Sequence, residues 1–213
     1  MDNIKDASSQ VTTNSYKKLI VSMRYWLLGR NYTRAVDAME LALEHHIGLR
    51  KDEVTPEFQH QLEIAHFIRT LPLENNMENC LIVAFLHDLP EDYDYSLEKI
   101  REQFGTSVRD AVWLVTKEYE GMKKDNKKYY EQIAENGIAS IVKGVDRIHN
   151  IQSMQGVFTE TKQKLYIQEV KDHMCLMLKV ARRKFPIYEP AYENIKYVLS
   201  WQIQLIKHIH GWK

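Results

Sequence analysis

Glycine and proline are scarce in this chain of 213 residues, at 8 and 5. A sandwich or barrel of many short strands needs frequent turns, so that class is disfavoured and long helices have room. Cysteine is rarer still. Cys80 and Cys175 both sit in apolar helical contexts and read as reduced core residues of an intracellular protein, not as a disulfide framework. Net charge is absent: Lys plus Arg and Asp plus Glu number 29 each, so no global field favours nucleic acid or an anionic membrane. A local basic pocket stays open. No apolar stretch is long enough to span a bilayer. The leading MDNIKDASSQVTTNS has neither the basic nor the apolar region of a signal peptide, and cytoplasm is the expected location.

What is present suits one globular core: 44% hydrophobic and 27% charged residues. Residues 1–14 are polar and expected to be mobile, and 15–213 are expected to form a single domain. Apolar residues recur at helical spacing in YKKLIVSMRYWLLGR, YTRAVDAMELALEHH, EFQHQLEIAHFIRTL and MENCLIVAFLHD. Gly48 stops the second of these, and LRKDEVTP reads as a charged loop. Ser96 caps LEKIREQF, SVRDAVWLVTKEYE follows, and GMKKDNKK reads as a polar, mobile turn. YYEQIAENG and IASIVKGVDRIHNIQSM are broken at Gly137, and two long amphipathic helices separated by Pro186 complete the chain. No region alternates like a strand, so the fold class is all-α. Trp201, Ile203 and Ile206 form an apolar stripe, read first as core and second as an interface, which leaves the oligomeric state open.

The chemistry concentrates in AFLHDLPEDYDYS, where an apolar run ends in His87-Asp88 and Glu91-Asp92 follow. Such an end is either a solvated helix terminus or a metal site with acids beside it. His60, His87, Asp88 and Asp146 all lie near apolar helix faces. Two neutral imidazoles and two carboxylates suit a divalent transition ion such as Mn²⁺, Fe²⁺ or Zn²⁺ better than Ca²⁺. Adjacent His87 and Asp88 can share one ion only where the helix ends, and Leu89-Pro90 supplies such an end. Nine histidines in a helical chain will produce His-Asp pairs by chance, and a histidine among apolar neighbours is most often a hydrogen-bonded core residue. That plain reading is kept for His45, His46, His66, His173, His208 and His210. Arg50-Lys51 likewise reads as a solvated loop, Arg147 as an ion pair holding its helix, and Glu91-Asp92 as acids favoured at a helix start.

The order His60, His87-Asp88, Asp146 resembles the H…HD…D signature of the HD-domain metal-dependent phosphohydrolases. HDLPEDYDYSLEKIREQFGTSVRDAVWLVTK, VDRIHN and HIGLRKDEVTPEFQH extend the likeness to the hydrolase domain of the RelA/SpoT alarmone enzymes and their small single-domain relatives. It is strong over roughly 30–155 and weak over the C-terminal helices. It implies an HD-domain helical bundle of roughly ten helices. His60, His87, Asp88 and Asp146 would hold one Mn²⁺, with Fe²⁺ or Zn²⁺ as substitutes. Glu91 and Asp92 would orient or deprotonate the attacking water. Arg50 and Lys51 would contact the nucleotide, Asn150 would line its pocket, and Lys143 and Arg147 would assist. The implied reaction removes the 3′-pyrophosphate of ppGpp or pppGpp, leaving GDP or GTP. The chain has no room for a synthetase domain as well, so degradation alone is expected.

The pattern is broken at Glu57 (usually Tyr), Gln61 (Pro), Pro90 (small or β-branched) and Gln152 (Arg), all on the nucleotide side. Two other readings follow: an HD phosphohydrolase acting on another nucleotide, such as an adenosine alarmone, a dinucleotide cofactor phosphate or a nucleoside phosphate, and a non-catalytic nucleotide- or partner-binding module.

Overall fold

The computed structural model describes the backbone of residues 2–212 and the side chains of residues 14–212. The elements are α1 (Asp2–Gly29), α2 (Thr33–His45), α3 (Gln59–Ile68), α4 (Met77–Leu86), the single turn α5 (Leu89–Asp92), α6 (Leu97–Phe104) and α7 (Thr106–Val115). A hairpin of β1 (Glu118–Tyr119) and β2 (Met122–Lys123) follows. Then come α8 (Asn126–Ile133), α9 (Gly137–Ser153), α10 (Glu160–Glu169), a π turn at Val170–Met174, α11 (Cys175–Lys184) and α12 (Glu189–Ile209). The all-α expectation holds. Taking α10 and α11 as the one helix that the π turn joins, and leaving out the one-turn α5, the number of helices is the ten expected. The expected mobile segment falls mostly outside the residues whose side chains are described.

Helix α4 is the axis of the core. Cys80 to Leu86 is apolar all round and fully buried, as a helix enclosed by others must be. It packs against α2, α3, α7 and α9. Helix α9 is nearly as enclosed, starting where Asn136 Oδ1 accepts the Ala139 amide at 2.9 Å. Gly144 lets α12 approach it: a Cβ there would stand 2.8 Å from Ile195 Cγ2. Because α3, α4 and α9 all touch, residues far apart in sequence meet at their shared end.

Two expectations are corrected. The stretch 121–128, expected to be a mobile turn, supplies the second strand of a hairpin and the start of α8, with Glu118 opposite Lys123 and Tyr119 opposite Met122. Glu120 and Gly121 take positive φ of 50° and 74°, as a tight two-residue turn requires. Strands of two residues are too short to display an alternating pattern. Cys80 is buried as expected, but Cys175 is exposed at the start of α11. In the α12 stripe Ile203 and Ile206 are buried while Trp201 is 64% exposed. No helix among the described residues is long and apolar enough to cross a membrane.

Candidate active site

Helix α4 ends at Leu86 because Pro90 cannot supply an amide to continue it. His87 is its C-cap and Asp88 the N-cap of α5, so the chain turns between two adjacent side chains and aims them at one region. His87 Nδ1 lies 2.9 Å from the Ala84 carbonyl oxygen. A carbonyl only accepts, so Nδ1 carries the proton and Nε2 presents a lone pair. That Nε2 is buried and has no hydrogen-bond partner.

His60, from the first turn of α3, faces the same region. Its Nε2 stands 3.3 Å from Asp146 Oδ1 and 3.7 Å from Asp88 Oδ2. His87 Nε2 stands 3.1 Å from Asp88 Oδ1 and 3.9 Å from Asp146 Oδ1. Ligand atoms of His60, His87 and Asp88 all lie within 4.8 Å of one another. Donors bound at about 2.1 Å to one ion stand about 3–3.5 Å apart, so this spacing fits a shared divalent cation. The unpartnered His87 Nε2 fits it equally.

Protonation agrees with that fit. Burial, against the pull of Asp146 and Asp88, lowers His60 to about 4, so it is a neutral imidazole at pH 7. Burial alone would raise Asp146, but the Lys143 ammonium at 2.8 Å outweighs it and holds the carboxyl well below its usual range. Asn150 Nδ2 donates to Asp146 Oδ1 at 2.6 Å. Asp88 is steadied by Gln61, whose Nε2 donates to Asp88 Oδ2 at 3.0 Å and to His46 Nε2 at 2.9 Å. His46 is buried, and its Nδ1 bonds the Ala42 carbonyl, which leaves Nε2 to accept. Its plain core reading thus gains a second task.

A cavity of about 960 Å³ opens beside these groups. Asp88 and Asp92 line one part, Arg50, Lys51 and Asn150 another. Arg50 and Lys51 ride on a loop closed by the Arg50 amide to Thr55 carbonyl bond of 2.8 Å and by Asp52 Oδ1 accepting the Val54 and Thr55 amides. Asp92 is pushed up to about 6, first by partial burial and then by Asp88, Glu91 and Glu57. Glu91 is exposed, and its Oε2 accepts the Lys117 amide at 2.9 Å. Lys143 lies behind Asp146, over the Tyr129 ring. Arg147 is buried away from the cavity, its Nη2 3.0 Å from both Tyr130 Oη and Glu169 Oε2. Of the residues singled out by sequence, the two histidines, two aspartates, Asp92, Arg50, Lys51 and Asn150 therefore gather here, and Arg147 does not.

Two residues went unnoticed in the sequence. His149 Nδ1 meets His60 Nδ1 at 2.8 Å, and Glu63 Oε2 meets His149 Nε2 at 3.0 Å. Gln61, marked there only as a departure from the family pattern, steadies Asp88. Spacing could have found Glu63 and His149, since Glu63 is three residues after His60 and His149 three after Asp146, one helical turn in each case.

The HD domain family model matches residues 38–118, a span that holds His60, His87-Asp88 and Glu91-Asp92. That match covers less than half of the chain. Around it, 140 residues are 31% identical to the guanosine-3′,5′-bis(diphosphate) 3′-pyrophosphohydrolase of Aquifex aeolicus, covering 63% of this chain and 20% of that protein. A probable enzyme of the same name from Synechocystis is 28% identical over 139 residues, covering 62% and 18%. A probable GTP pyrophosphokinase of Mycobacterium leprae is 29% identical over 126 residues, covering 55% and 15%. The chain thus spans about a fifth of the length of these curated relatives. Among solved structures, a metazoan ortholog of SpoT described as hydrolysing ppGpp superposes with a TM-score of 0.63 at 20% identity, covering 79% of this chain and 95% of that one. At that identity the likeness speaks for the HD-domain fold alone.

Proposed function

We propose that the chain is a divalent-metal phosphohydrolase that removes the 3′-pyrophosphate of guanosine alarmones, converting ppGpp or pppGpp and water to GDP or GTP and pyrophosphate. The observation that carries the reading is the convergence of His60 Nε2, His87 Nε2, Asp88 and Asp146 beside a cavity that Asp88, Arg50 and Lys51 line. His60, His87, Asp88 and Asp146 would hold one divalent ion, Mn²⁺ or in its place Fe²⁺ or Zn²⁺. A bound ion supplies Lewis-acid activation of a phosphoryl oxygen and of water.

The protein's own groups do the rest. Arg50 and Lys51 bind the phosphates, and a guanidinium can also stack on the purine. Asn150 keeps Asp146 oriented and lines the pocket. The Glu91–Asp92 pair, with Asp92 on the cavity wall, orients the attacking water and takes its proton. The water oxygen bonds to the phosphorus next to the ribose 3′ oxygen. The phosphorus–O3′ bond breaks, and the departing oxygen takes up a proton. The relatives named as guanosine-3′,5′-bis(diphosphate) 3′-pyrophosphohydrolases support this choice of nucleotide. Lys143 and Arg147 act from behind, one through Asp146 and the other through α10.

A second reading keeps the metal and changes the base or sugar substituent. Glu57 and Gln61, where the family pattern has Tyr and Pro, both line the cavity, and Glu57 accepts the Tyr93 hydroxyl at 2.5 Å. Mn²⁺-loaded protein incubated with guanosine and adenosine 3′-pyrophosphates, dinucleotide cofactor phosphates and nucleoside phosphates discriminates the two, with products resolved by chromatography. Pyrophosphate release from ppGpp above the others is the expected result. Glu91→Gln should keep the metal and lose about 10²–10⁴-fold in turnover. A panel without any product, with Glu91→Gln indistinguishable from the parent, would mean a binding module instead.

A further inference from the structure

The pair Glu63 and His149 is used by nothing above, yet it is built to one end. His149 Nε2 is 3.0 Å from Glu63 Oε2, and His149 Nδ1 is 2.8 Å from His60 Nδ1. Two imidazole nitrogens at that distance need one proton between them. An ionised carboxylate only accepts, so His149 Nε2 must carry a hydrogen toward Glu63. In a neutral His149 the Nδ1 is then a lone pair, and it accepts from His60 Nδ1–H. His60 is left with its lone pair on Nε2, the atom that faces Asp146 and Asp88 at 3.3 and 3.7 Å. Both imidazoles are buried, with His60 4% and His149 9% exposed, so water does not compete for these positions. Glu63 is the outer end of the chain, its side chain 34% exposed and its Oε1 bonded by Gln59 at 2.6 Å.

We infer that Glu63 and His149 are positioning residues that fix the tautomer and ring plane of His60, so that its Nε2 lone pair is held ready for the cation. His87 reaches the same state by a shorter route, through the Ala84 carbonyl. His60 Nδ1 meets His149 rather than a carbonyl, and a side-chain relay takes the carbonyl's place. The inference rests on the metal reading proposed above.

The test is the equilibrium affinity of the full chain for Mn²⁺, measured by competition with a chelating dye. His149→Leu should bind Mn²⁺ about 10–100-fold more weakly, the usual cost of losing the partner that orients a ligating imidazole. His149→Asn should recover most of that loss, because its Oδ1 falls where the imidazole Nδ1 stands. Glu63→Leu should weaken binding in the parent but cost nothing further in the His149→Asn background, since Glu63 acts only through His149. In Zn²⁺-loaded protein, imidazole NMR should show slowly exchanging protons on His149 Nε2 and His60 Nδ1. The His149 proton alone should be lost in Glu63→Leu. Affinity unchanged in His149→Leu, or an equal loss from Glu63→Leu in both backgrounds, overturns the relay while leaving the metal site standing. A parent that binds no ion overturns the metal reading and the relay together. Should His149→Leu fail to fold, as a melting curve would report, the other two variants carry the same comparison.

Discussion

Asp146 and Arg147 are neighbours on α9, yet they enter buried polar clusters of different kinds. On the Arg147 side, opposite charges pair: Arg147 Nη2 meets Glu169 Oε2 at 3.0 Å, and Lys117 Nζ and Tyr130 Oη meet Oε1 at 3.0 and 3.1 Å, although Arg147 Nε and Nη1 find no acceptor. On the Asp146 side the donors Lys143, Asn150 and Gln61 reach only the carboxylates of the cluster. Toward the common centre His87 Nε2 and both carboxylates offer lone pairs, and nothing in the protein donates to His87 Nε2. A cluster whose opposite charges pair with one another is a clamp. One with an excess of inward acceptors calls for a cation, because buried acceptors without a partner are costly.

That contrast predicts opposite responses to breaking each cluster. Asp88→Ala should abolish stoichiometric metal in elemental analysis and lower turnover by at least about 10³-fold, as loss of a Lewis-acid centre implies. Its metal-free stability should hardly change. Retained metal would remove Asp88 from the ligand set. Glu169→Ala should do the reverse. It strands the Arg147 guanidinium, at a cost of about 3–5 kcal/mol, and Tm should fall by about 10 °C or more. Metal content should stay that of the parent. If Glu169→Ala lost the ion while keeping its Tm, the two clusters would have exchanged roles.

A smaller effect comes from the ion itself. Mn²⁺ at about 100 times its Kd should stabilise the parent by about 2.7 kcal/mol. Thermal melts should therefore shift upward by about 5–10 °C. The same addition should leave Asp88→Ala unmoved and should shift Glu169→Ala as much as the parent. A shift in all three would mean adsorption elsewhere on the surface.

Much of this contrast was open to inspection in the sequence, but unevenly. The helices were legible because apolar spacing and breakers such as Pro90 and Pro186 are local. The cluster at His60, His87, Asp88 and Asp146 was legible as a set because its order resembles the H…HD…D signature, since its residue types alone left a chance pairing open. The direction of Arg147 was not. Adjacent residues on a helix diverge by about 100°, and which of the two faces the cavity depends on how α9 is rolled against α4 and α10. Glu63 and His149 were hidden for a related reason: their link is a contact between α3 and α9, 86 residues apart in the chain. The hairpin at Glu118–Lys123 carries no periodicity to read, since each strand has two residues.

The smallest predicted effect tests whether carboxylates crowd the cavity wall as the distances imply. Asp92 stands near Asp88, Glu91 and Glu57, and in the metal-free protein its carboxyl is raised to about 6 from 3.8. The folded state therefore holds a proton that the unfolded chain has already released. That contribution to stability is complete below about pH 4, declines as pH rises, and is gone above about pH 6. Asp92→Asn removes the repulsion at all pH values. In chelator-treated protein it should raise Tm above pH 6 by about 2–4 °C, a gain of about 1 kcal/mol once solvent screening at this exposed position is allowed for. At pH 4 the variant and parent should melt together. With saturating Mn²⁺ the gain should shrink, because the cation neutralises Asp88 and relieves Asp92 in the parent as well. A variant that melts lower than the parent at pH 8 would show that Asp92 is stabilised as a carboxylate, and the acidic wall would then have to be a network of paired charges like the one around Arg147.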